Sequence, residues 1–250
     1  MSYRTALAQV LTDVVAPAAQ QAGARGLFPR AAVTELGRTG LLGLTIGPEC
    51  GGAGLGLTEA AEVVERTARV CPATAAVLRS HYAAAVTVEA YGGDWLRGEI
   101  AAGRHLCGLA LAEDEAPDAA TGGRLLAPRA TAERFGGVVA LRGRKHQVVA
   151  AGEADTYVWS ARSAVAGEGL GLWVVPAHAS GLYVPARPGG SGPRGSATST
   201  VLADPVLVPA EAQLGEGGGG ADVLRGVVVP WLAEFGAVAP AEAAAPLVTS

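Results

Sequence analysis

The sequence contains few aromatic residues and few cysteines, and both shortages limit what it can build. Only 5% of the 250 residues are aromatic although half are apolar, so small aliphatic side chains must fill the core. The cysteines, Cys50, Cys71 and Cys107, show no CxxC spacing and have no histidine at a metal-ligand interval. We therefore expect no metal site, and we expect the three thiols to behave as small buried hydrophobes.

The sequence also lacks concentrated positive charge and long apolar runs. The formal net charge is −4, and the lysines and arginines are scattered, which argues against binding to nucleic acid. No uninterrupted apolar run reaches the length of a signal peptide or a membrane span, and Asp13 interrupts the N-terminal segment. These absences predict a cytoplasmic protein without a membrane anchor.

The first hundred residues carry helical signals. Apolar residues recur at helical spacing near the N-terminus, and Thr58 offers an N-cap to a later helix. The Cys71-Pro72 step ends that helix, and another is predicted over residues 73–91. Residues 1–105 are therefore predicted to form a helical bundle.

The amino-acid pattern of the sequence changes after the predicted helical bundle. Short runs rich in β-branched and aromatic residues, separated by Gly, Pro and Asp, lie at residues 138–141, 156–159 and 172–175. Residues 106–215 are predicted to form an antiparallel β-barrel or sheet with Trp159 and Trp173 in its core. The fold class is therefore α+β.

The C-terminal segment, residues 216–250, begins with a glycine-rich linker. An apolar stretch from Val223 to Phe235 then predicts one short helix. Because a single helix cannot bury its own apolar face, we expect it to dock on the body of the protein or on a second subunit. A homodimer or a partner subunit assembled through this helix is the corresponding prediction.

Several segments resemble the acyl-CoA dehydrogenase family. Residues 36–44 and 48–54 together resemble that family's glycine-rich signature between two packed helices, where glycine permits tight turns. Further matching segments follow in the family's order at residues 68–75, 141–145, 154–155, 194–198 and 204–209. The resemblance covers roughly residues 28–215 and implies a helical domain followed by a β-domain.

Two segments depart from the family at positions that the resemblance implies for the flavin ring. The family's loop threonine is replaced by Ala112, its aromatic residue by Gln147, and the Ser or Thr two positions later by Val149. Each lost hydrogen bond is worth about 0.5–1.5 kcal/mol, so the changes are expected to lower the affinity for a flavin by roughly 10- to 1,000-fold. Together with the absence of any segment that resembles the family's C-terminal domain, these changes predict a protein without a cofactor, with FAD as the alternative.

Nothing in the sequence resembles the family's C-terminal domain. The resemblance implies that this four-helix domain supplies a glutamate base, covers the flavin and builds the dimer surface, whereas residues 221–250 suffice for about one helix. Glu234 and Glu242 do not lie in a segment resembling that of the base. The chain is therefore predicted to be a shortened, degenerate relative of the family.

The candidate catalytic residues are Glu113, Asp118 and His146. Neighbouring like charges in the acidic cluster, which also contains Asp114 and Glu115, are expected to raise the pKa of one carboxyl group and make it a general acid. His146 is the candidate partner. A solvated charged loop and a histidine that only fills space are the alternative interpretations.

The candidate substrate-binding residues are His81, Tyr82, Gln147, Val149, Arg194 and Ser196. His81 and Tyr82 lie in a helix expected to face the cleft between the two domains, with a packing role as the alternative. Arg194 and Ser196 are candidates for contacting a phosphate or carboxylate, and an ordinary turn is the alternative.

The functional prediction follows from these residues. The protein is predicted to bind an acyl or polyketide-like molecule in the inter-domain cleft and to promote a flavin-independent, non-redox reaction of secondary metabolism, such as cyclisation, isomerisation or dehydration. One alternative is a subunit of an FAD-dependent acyl-CoA dehydrogenase completed by a partner chain. A second alternative is a non-catalytic binding protein.

Overall fold

The computed structural model describes residues 2–114, 125–165, 169–185, 192–215 and 217–237. The helices are α1 Tyr3–Val10, α2 Ala16–Arg25, α3 Arg30–Arg38, α4 Leu57–Ala68, α5 Pro72–Tyr91, α6 Asp94–Ala101, α7 Gly220–Val223 and α8 Val229–Ala237. The strands are β1 Cys107–Ala110, β2 Thr131–Phe135, β3 Val138–Val148, β4 Thr156–Ser163, β5 Leu170–Pro176, β6 Leu182–Tyr183, β7 Ser199–Pro209 and β8 Gln213–Leu214. The α+β class predicted from the sequence is confirmed.

Two helices contain a π-helical segment immediately before a proline-containing turn. Leu11–Val15 joins α1 to α2, and Leu224–Val228 joins α7 to α8. Pro17 and Pro230 each occupy the second position of the α-helical segment that follows. A proline removes one backbone N–H donor and crowds the preceding turn, so a wider turn at this point keeps the helix continuous.

Helix α5 occupies the centre of the molecule. It begins at Pro72, one residue before the predicted start, and follows an extended Cys71, because the residue before a proline avoids the helical region. Buried side chains cover most of its circumference, and many of them are alanines. Their small size lets α4 and strand β1 pack closely against it. The helix therefore links the helical part of the chain to the sheet.

The start of α4 differs from the sequence prediction. The helix begins at Leu57, and the N-cap position is Gly56 rather than Thr58. The side chain of Glu59 accepts a hydrogen bond from the Gly56 backbone N–H at 3.1 Å. A carboxylate in the first turn satisfies one of the unpaired donors there and also interacts favourably with the helix dipole.

The sheet is mixed and open, which corrects the expectation of an antiparallel sheet or closed barrel. Its strand order is β6-β7-β3-β2-β4-β5-β8, and β1 pairs with β4. The pairs β1/β4 and β2/β4 are parallel. Long connections separate these partners in the sequence, so short-range turn signals could not predict their direction. Trp159 and Trp173 lie in the core, as predicted.

The C-terminal helical segment packs on the body of the same chain. Helix α8 contacts α4 and α5, and α7 contacts β5. Leu224, Val228 and Phe235 are buried in these contacts. Of the two docking partners expected from the sequence, the structure shows the chain's own body. Among the described helices, none combines the length and the apolar character needed to cross a membrane.

Gly37 in α3 and Gly103 after α6 lie in direct backbone contact, so we expect Gly37→Ala to be destabilising. A Cβ atom at Gly37 would overlap the Gly103 carbonyl oxygen. The expected loss in the free energy of unfolding is about 1–3 kcal/mol, the usual cost of overpacking, measured by urea denaturation. The matched control is Gly98→Ala in α6, where a Cβ meets nothing within 4 Å. It should stabilise the protein by up to about 1 kcal/mol, and equal effects of the two changes would contradict the packing argument.

Candidate functional site

Two segments implied by the sequence to contact a flavin lie side by side in the structure. One is residues 111–114, which follow β1, and the other is residues 145–149, at the end of β3. The backbone N–H of His146 donates a hydrogen bond to the carbonyl oxygen of Ala112 at 2.7 Å. We call this pair of segments the paired edge. The main-chain contact fixes their separation whatever their side chains are.

A β-bulge shapes the second segment of the paired edge. Lys145 pairs with Val201 and the next paired residue, Val148, pairs with Ser199, so two residues of β3 oppose one residue of β7. Gln147, one of the two, has a positive φ of 55°. A bulge of this kind bends the strand and redirects its side chains. Gln147, within the bulge, and Val149, just after it, are half-buried.

A buried lysine lies beneath the paired edge. The Lys145 ammonium donates hydrogen bonds to Glu113 Oε1 at 2.6 Å and to Ser160 Oγ at 2.9 Å. A third contact reaches the Leu111 carbonyl oxygen at 3.3 Å, and the ammonium lies 5.4 Å from the centre of the Trp159 ring. Burial lowers the pKa of Lys145 to about 8, although the Glu113 carboxylate opposes the shift. The side chain is fully buried, so it acts as an internal cross-link between the two segments.

Glu113 is ionised, and this corrects its predicted role as a group with a raised pKa. Burial alone would raise the pKa of Glu113, but the charge and hydrogen bond of Lys145 and two backbone donors outweigh burial and hold the pKa below its ordinary value. The backbone donors are Ala130 N at 2.9 Å and Arg129 N at 2.5 Å. A carboxylate bonded in this way does not hold a proton at neutral pH. Asp118 and Glu115 lie outside the described residues.

His146 lies in the bulge, half-buried, with its Nδ1 atom 3.1 Å from the Thr200 hydroxyl. This contact orients the imidazole ring against β7. The residue therefore lies at the paired edge, and its catalytic role stays a prediction. His146 was predicted to be the partner of Glu113. In the structure the Glu113 carboxylate forms an ion pair with Lys145 instead.

His81 and Tyr82 do not face a cleft, contrary to the expectation for substrate-binding residues. Both are fully buried in α5. His81 Nδ1 accepts the Cys107 backbone N–H at 3.1 Å, so its Nε2–H donates to the Leu42 carbonyl oxygen at 2.9 Å. Burial lowers the pKa of His81 to about 4. Tyr82 donates to the Leu41 carbonyl oxygen at 2.7 Å. The two side chains tie α5 to the glycine-rich loop.

Arg194 and Ser196 are separated by burial although they are two residues apart. Arg194 is exposed, whereas Ser196 is fully buried with its hydroxyl 2.6 Å from that of Thr198. The Ser196 carbonyl oxygen accepts the backbone N–H of Ala150 at 3.0 Å. This loop therefore supports the backbone directly after Val149, and Ser196 contributes through its main chain rather than through an exposed hydroxyl.

The sequence analysis missed Lys145 and Ser160 as members of the site. A signal for Lys145 was present in the alternation of β3, since Val139, Leu141 and Lys145 are separated by even numbers of residues and all three are buried. A lysine in phase with inward-facing residues predicts a buried charge that needs a partner. Ser160 carried no such signal, because its contact with Lys145 depends on the placement of a separate strand.

Comparisons with known proteins give a consistent family assignment. Residues 2–102 match the family model described as acyl-CoA dehydrogenase, N-terminal domain. An acyl-CoA dehydrogenase of Bacillus subtilis (strain 168) is 27% identical over 213 residues, which cover 82% of this chain and 55% of the relative. The human mitochondrial short-chain specific acyl-CoA dehydrogenase is 28% identical, covering 82% of this chain and 50% of the relative. The chain thus spans about half the length of the curated relatives that it matches.

Solved structures with a similar fold cover about the same part of this chain. FkbI, described as acting in biosynthesis of the methoxymalonyl extender unit of a polyketide immunosuppressant, is 30% identical with a TM-score of 0.71, covering 82% of this chain and 57% of FkbI. A chain in the electron transferring flavoprotein structure of Acidaminococcus fermentans has a TM-score of 0.77 at 24% identity, covering 88% of this chain and 58% of its own length.

These comparisons overturn the prediction that the protein uses no cofactor. A flavoprotein structure shares the fold, and so does an FAD complex of PigA, with a TM-score of 0.74 at 18% identity over 94% of this chain and 64% of PigA. The prediction was wrong, and it rested on lost side-chain contacts and on the absence of a segment resembling the family's C-terminal domain. The main-chain contact between Ala112 and His146, which sets the geometry of the paired edge, does not depend on those side chains.

The buried ion pair predicts a pH-dependent stability change in Glu113→Gln. Without the carboxylate, the buried Lys145 ammonium is uncompensated, and the free energy of unfolding at pH 7 should fall by about 3–5 kcal/mol. The pKa of Lys145 in the folded variant should drop below the wild-type value of about 8. Between that lowered pKa and the ordinary value of 10.5, the unfolded state binds more protons, so the stability of the variant should rise with pH.

The control for this change is Asp114→Asn, which alters a neighbouring, more exposed carboxylate paired with Arg129 at 3.1 Å. Exposed ion pairs contribute about 0–1 kcal/mol, so urea denaturation at several pH values should show a small and pH-independent loss. If Glu113→Gln is no less stable than Asp114→Asn at pH 7, the buried cross-link does not hold the two segments.

Proposed function

Since residues 2–102 match the N-terminal domain of the acyl-CoA dehydrogenase family, we propose that the paired edge of this chain holds the ring of a flavin, and that the protein is part of a flavin-dependent oxidoreductase acting on an acyl thioester. The observation that carries the proposal is the 2.7 Å hydrogen bond from His146 N to Ala112 O. It brings together the two segments whose counterparts in the family contact the ring. A bound flavin supplies the hydride acceptor that the amino-acid side chains lack.

The backbone of the paired edge suits a bound flavin ring, and its side chains suit one in part. Ala112, Gln147 and Val149 are half-buried, so part of each residue stays accessible to a ligand. Ala112 and Val149 would meet the ring through apolar atoms alone, and Gln147 would meet it through an amide instead of an aromatic face. The fit supports a flavin that is held more weakly than by a side-chain hydroxyl at each position.

The chain's own charges have defined tasks in this proposal. The Lys145 ammonium fixes residues 111–114 relative to residues 145–149 and places one positive charge beneath the paired edge. Glu113 acts through Lys145 as a positioning residue, since its carboxylate is already ionised and accepts hydrogen bonds. His146 remains a predicted proton carrier at the same edge, oriented by Thr200.

The proposal requires a helical domain beyond residues 2–237. In the proposed enzyme, that helical domain covers the flavin and supplies the carboxylate that removes the substrate α-proton. The chain spans about half of the length of its curated relatives.

A second candidate concerns the substrate and the reaction. The 30% identity with FkbI supports an acyl group of the polyketide type as the substrate. On such a substrate, the cyclisation, isomerisation or dehydration predicted from the sequence remains a prediction. Mass spectrometry of the product separates dehydrogenation from these reactions, because dehydrogenation removes two hydrogens, dehydration removes one water, and cyclisation by addition and isomerisation leave the mass unchanged.

The direct test of the proposed function is to titrate the purified protein with FAD and with FMN. We expect saturable changes in the visible absorbance bands of the flavin and quenching of its fluorescence. A protein that leaves both flavins unchanged at every concentration, alone and with the helical domain of a relative added, would not be a flavoprotein.

A threonine at position 149 is expected to tighten flavin binding. Val149→Thr returns a hydroxyl to the paired edge, and a hydrogen bond worth about 0.5–1.5 kcal/mol corresponds to roughly two- to tenfold in the dissociation constant. The matched control is Val138→Thr, the same change at an exposed position at the start of β3. Equal dissociation constants for Val149→Thr, Val138→Thr and the wild type would show that Val149 does not face the ring.

A further inference from the structure

A cleft lies at the end of β1 that is opposite to the paired edge. It has a volume of about 540 Å³, within the range of small-molecule sites. His105, which lines it, comes two residues before β1, and Ala112 of the paired edge comes two residues after β1. At the rise of an extended strand, the two positions are separated by roughly 20 Å. The cleft is therefore separate from the proposed flavin position.

Two exposed aromatic residues stand at this cleft. Tyr91, at the end of α5, is 44% exposed, and Trp95, in the first turn of α6, is 73% exposed. Aromatic residues form only 5% of the sequence, so two exposed rings on one cleft are a concentration of apolar surface left open to solvent. The side chains of Val174 and Leu214 contribute aliphatic surface to the same cleft.

The polar groups of the cleft are held in defined positions. His105 Nε2 lies 3.1 Å from the Thr156 hydroxyl, and its ring meets the Trp95 ring edge-on at 6.2 Å. Asp155 Oδ2 accepts the Leu106 backbone N–H at 2.7 Å. Glu211 adds a second carboxylate. The histidine contact orients the tryptophan, and the backbone contact fixes the aspartate.

The charge of the cleft selects the class of ligand. Among the described residues that line it, two carry carboxylates and none is lysine or arginine. Two histidines, His105 and His178, also line it, and burial is the main cause that lowers the pKa of His105. Such a lining repels phosphates and carboxylates and attracts cations. Aromatic faces beside carboxylates are the chemistry that recognises organic ammonium groups.

We propose that this cleft binds a small organic ammonium ion, whose charged head lies against the rings of Tyr91 and Trp95 and near the carboxylates of Asp155 and Glu211. The ligand's hydrocarbon part packs on Val174 and Leu214. The site is independent of the flavin proposal, because none of its lining residues belongs to the paired edge.

The experiment titrates choline chloride into the purified protein by calorimetry, at an ionic strength held constant with sodium chloride. We expect saturable binding of choline and at least tenfold weaker binding of 3,3-dimethylbutan-1-ol, its uncharged isostere. Trp95→Ala should weaken choline binding by about three- to thirtyfold. The matched control is Phe135→Ala, which removes an aromatic side chain of similar exposure, 59%, outside the cleft and should leave binding unchanged.

Glu211→Gln is the second variant, because it removes one charge from an exposed side chain and leaves the fold intact. It should weaken choline binding but not binding of the alcohol. Circular dichroism verifies that each variant is folded. Non-saturable binding of choline, equal affinity for choline and the alcohol, or unchanged affinity in both folded Trp95→Ala and Glu211→Gln would overturn the proposal.

Discussion

The buried ion pair between Lys145 and Glu113 is the interaction on which the candidate site depends. An unpaired ammonium in an apolar interior is strongly unfavourable, and here the carboxylate, a serine hydroxyl and a carbonyl oxygen compensate it. Since Glu113 and Lys145 belong to different segments, the need to satisfy one charge fixes two stretches of backbone. The hydrogen bond between His146 and Ala112 then sets their spacing. Chemistry at the paired edge can vary while its geometry persists.

Local signals predicted much of the fold. The Cys71-Pro72 step predicted the start of α5 because proline restricts the residue before it, and the structure confirms it to within one residue. The glycine-rich signature at residues 36–54 predicted the family, and the family match over residues 2–102 confirms that prediction. The predicted N-cap of α4, Thr58, was wrong. The helix begins at Leu57, because the Glu59 side chain accepts a hydrogen bond from the Gly56 N–H and Gly56 takes the N-cap position.

Non-local contacts explain what the sequence could not predict. The raised pKa expected for Glu113 came from its acidic neighbours in sequence, whereas its actual partner is 32 residues away. The polar side chains of His81 and Tyr82 suggested a cleft, but the backbone around Leu41, Leu42 and Cys107 satisfies their hydrogen bonds inside the core. The parallel pairing of β1 with β4 likewise joins two segments that are separated in sequence by β2 and β3. In each case the deciding partner is distant in sequence.

Residues 111–114 and 145–149 are proposed to form one surface for a flavin ring. Hydrogen–deuterium exchange with and without saturating FAD tests this claim most directly, because it reports on the backbone of both segments at once. We predict that added FAD slows exchange in these two segments together, with smaller changes in α3 and α4. Unchanged exchange in both segments, or protection of only one of them, would contradict the account.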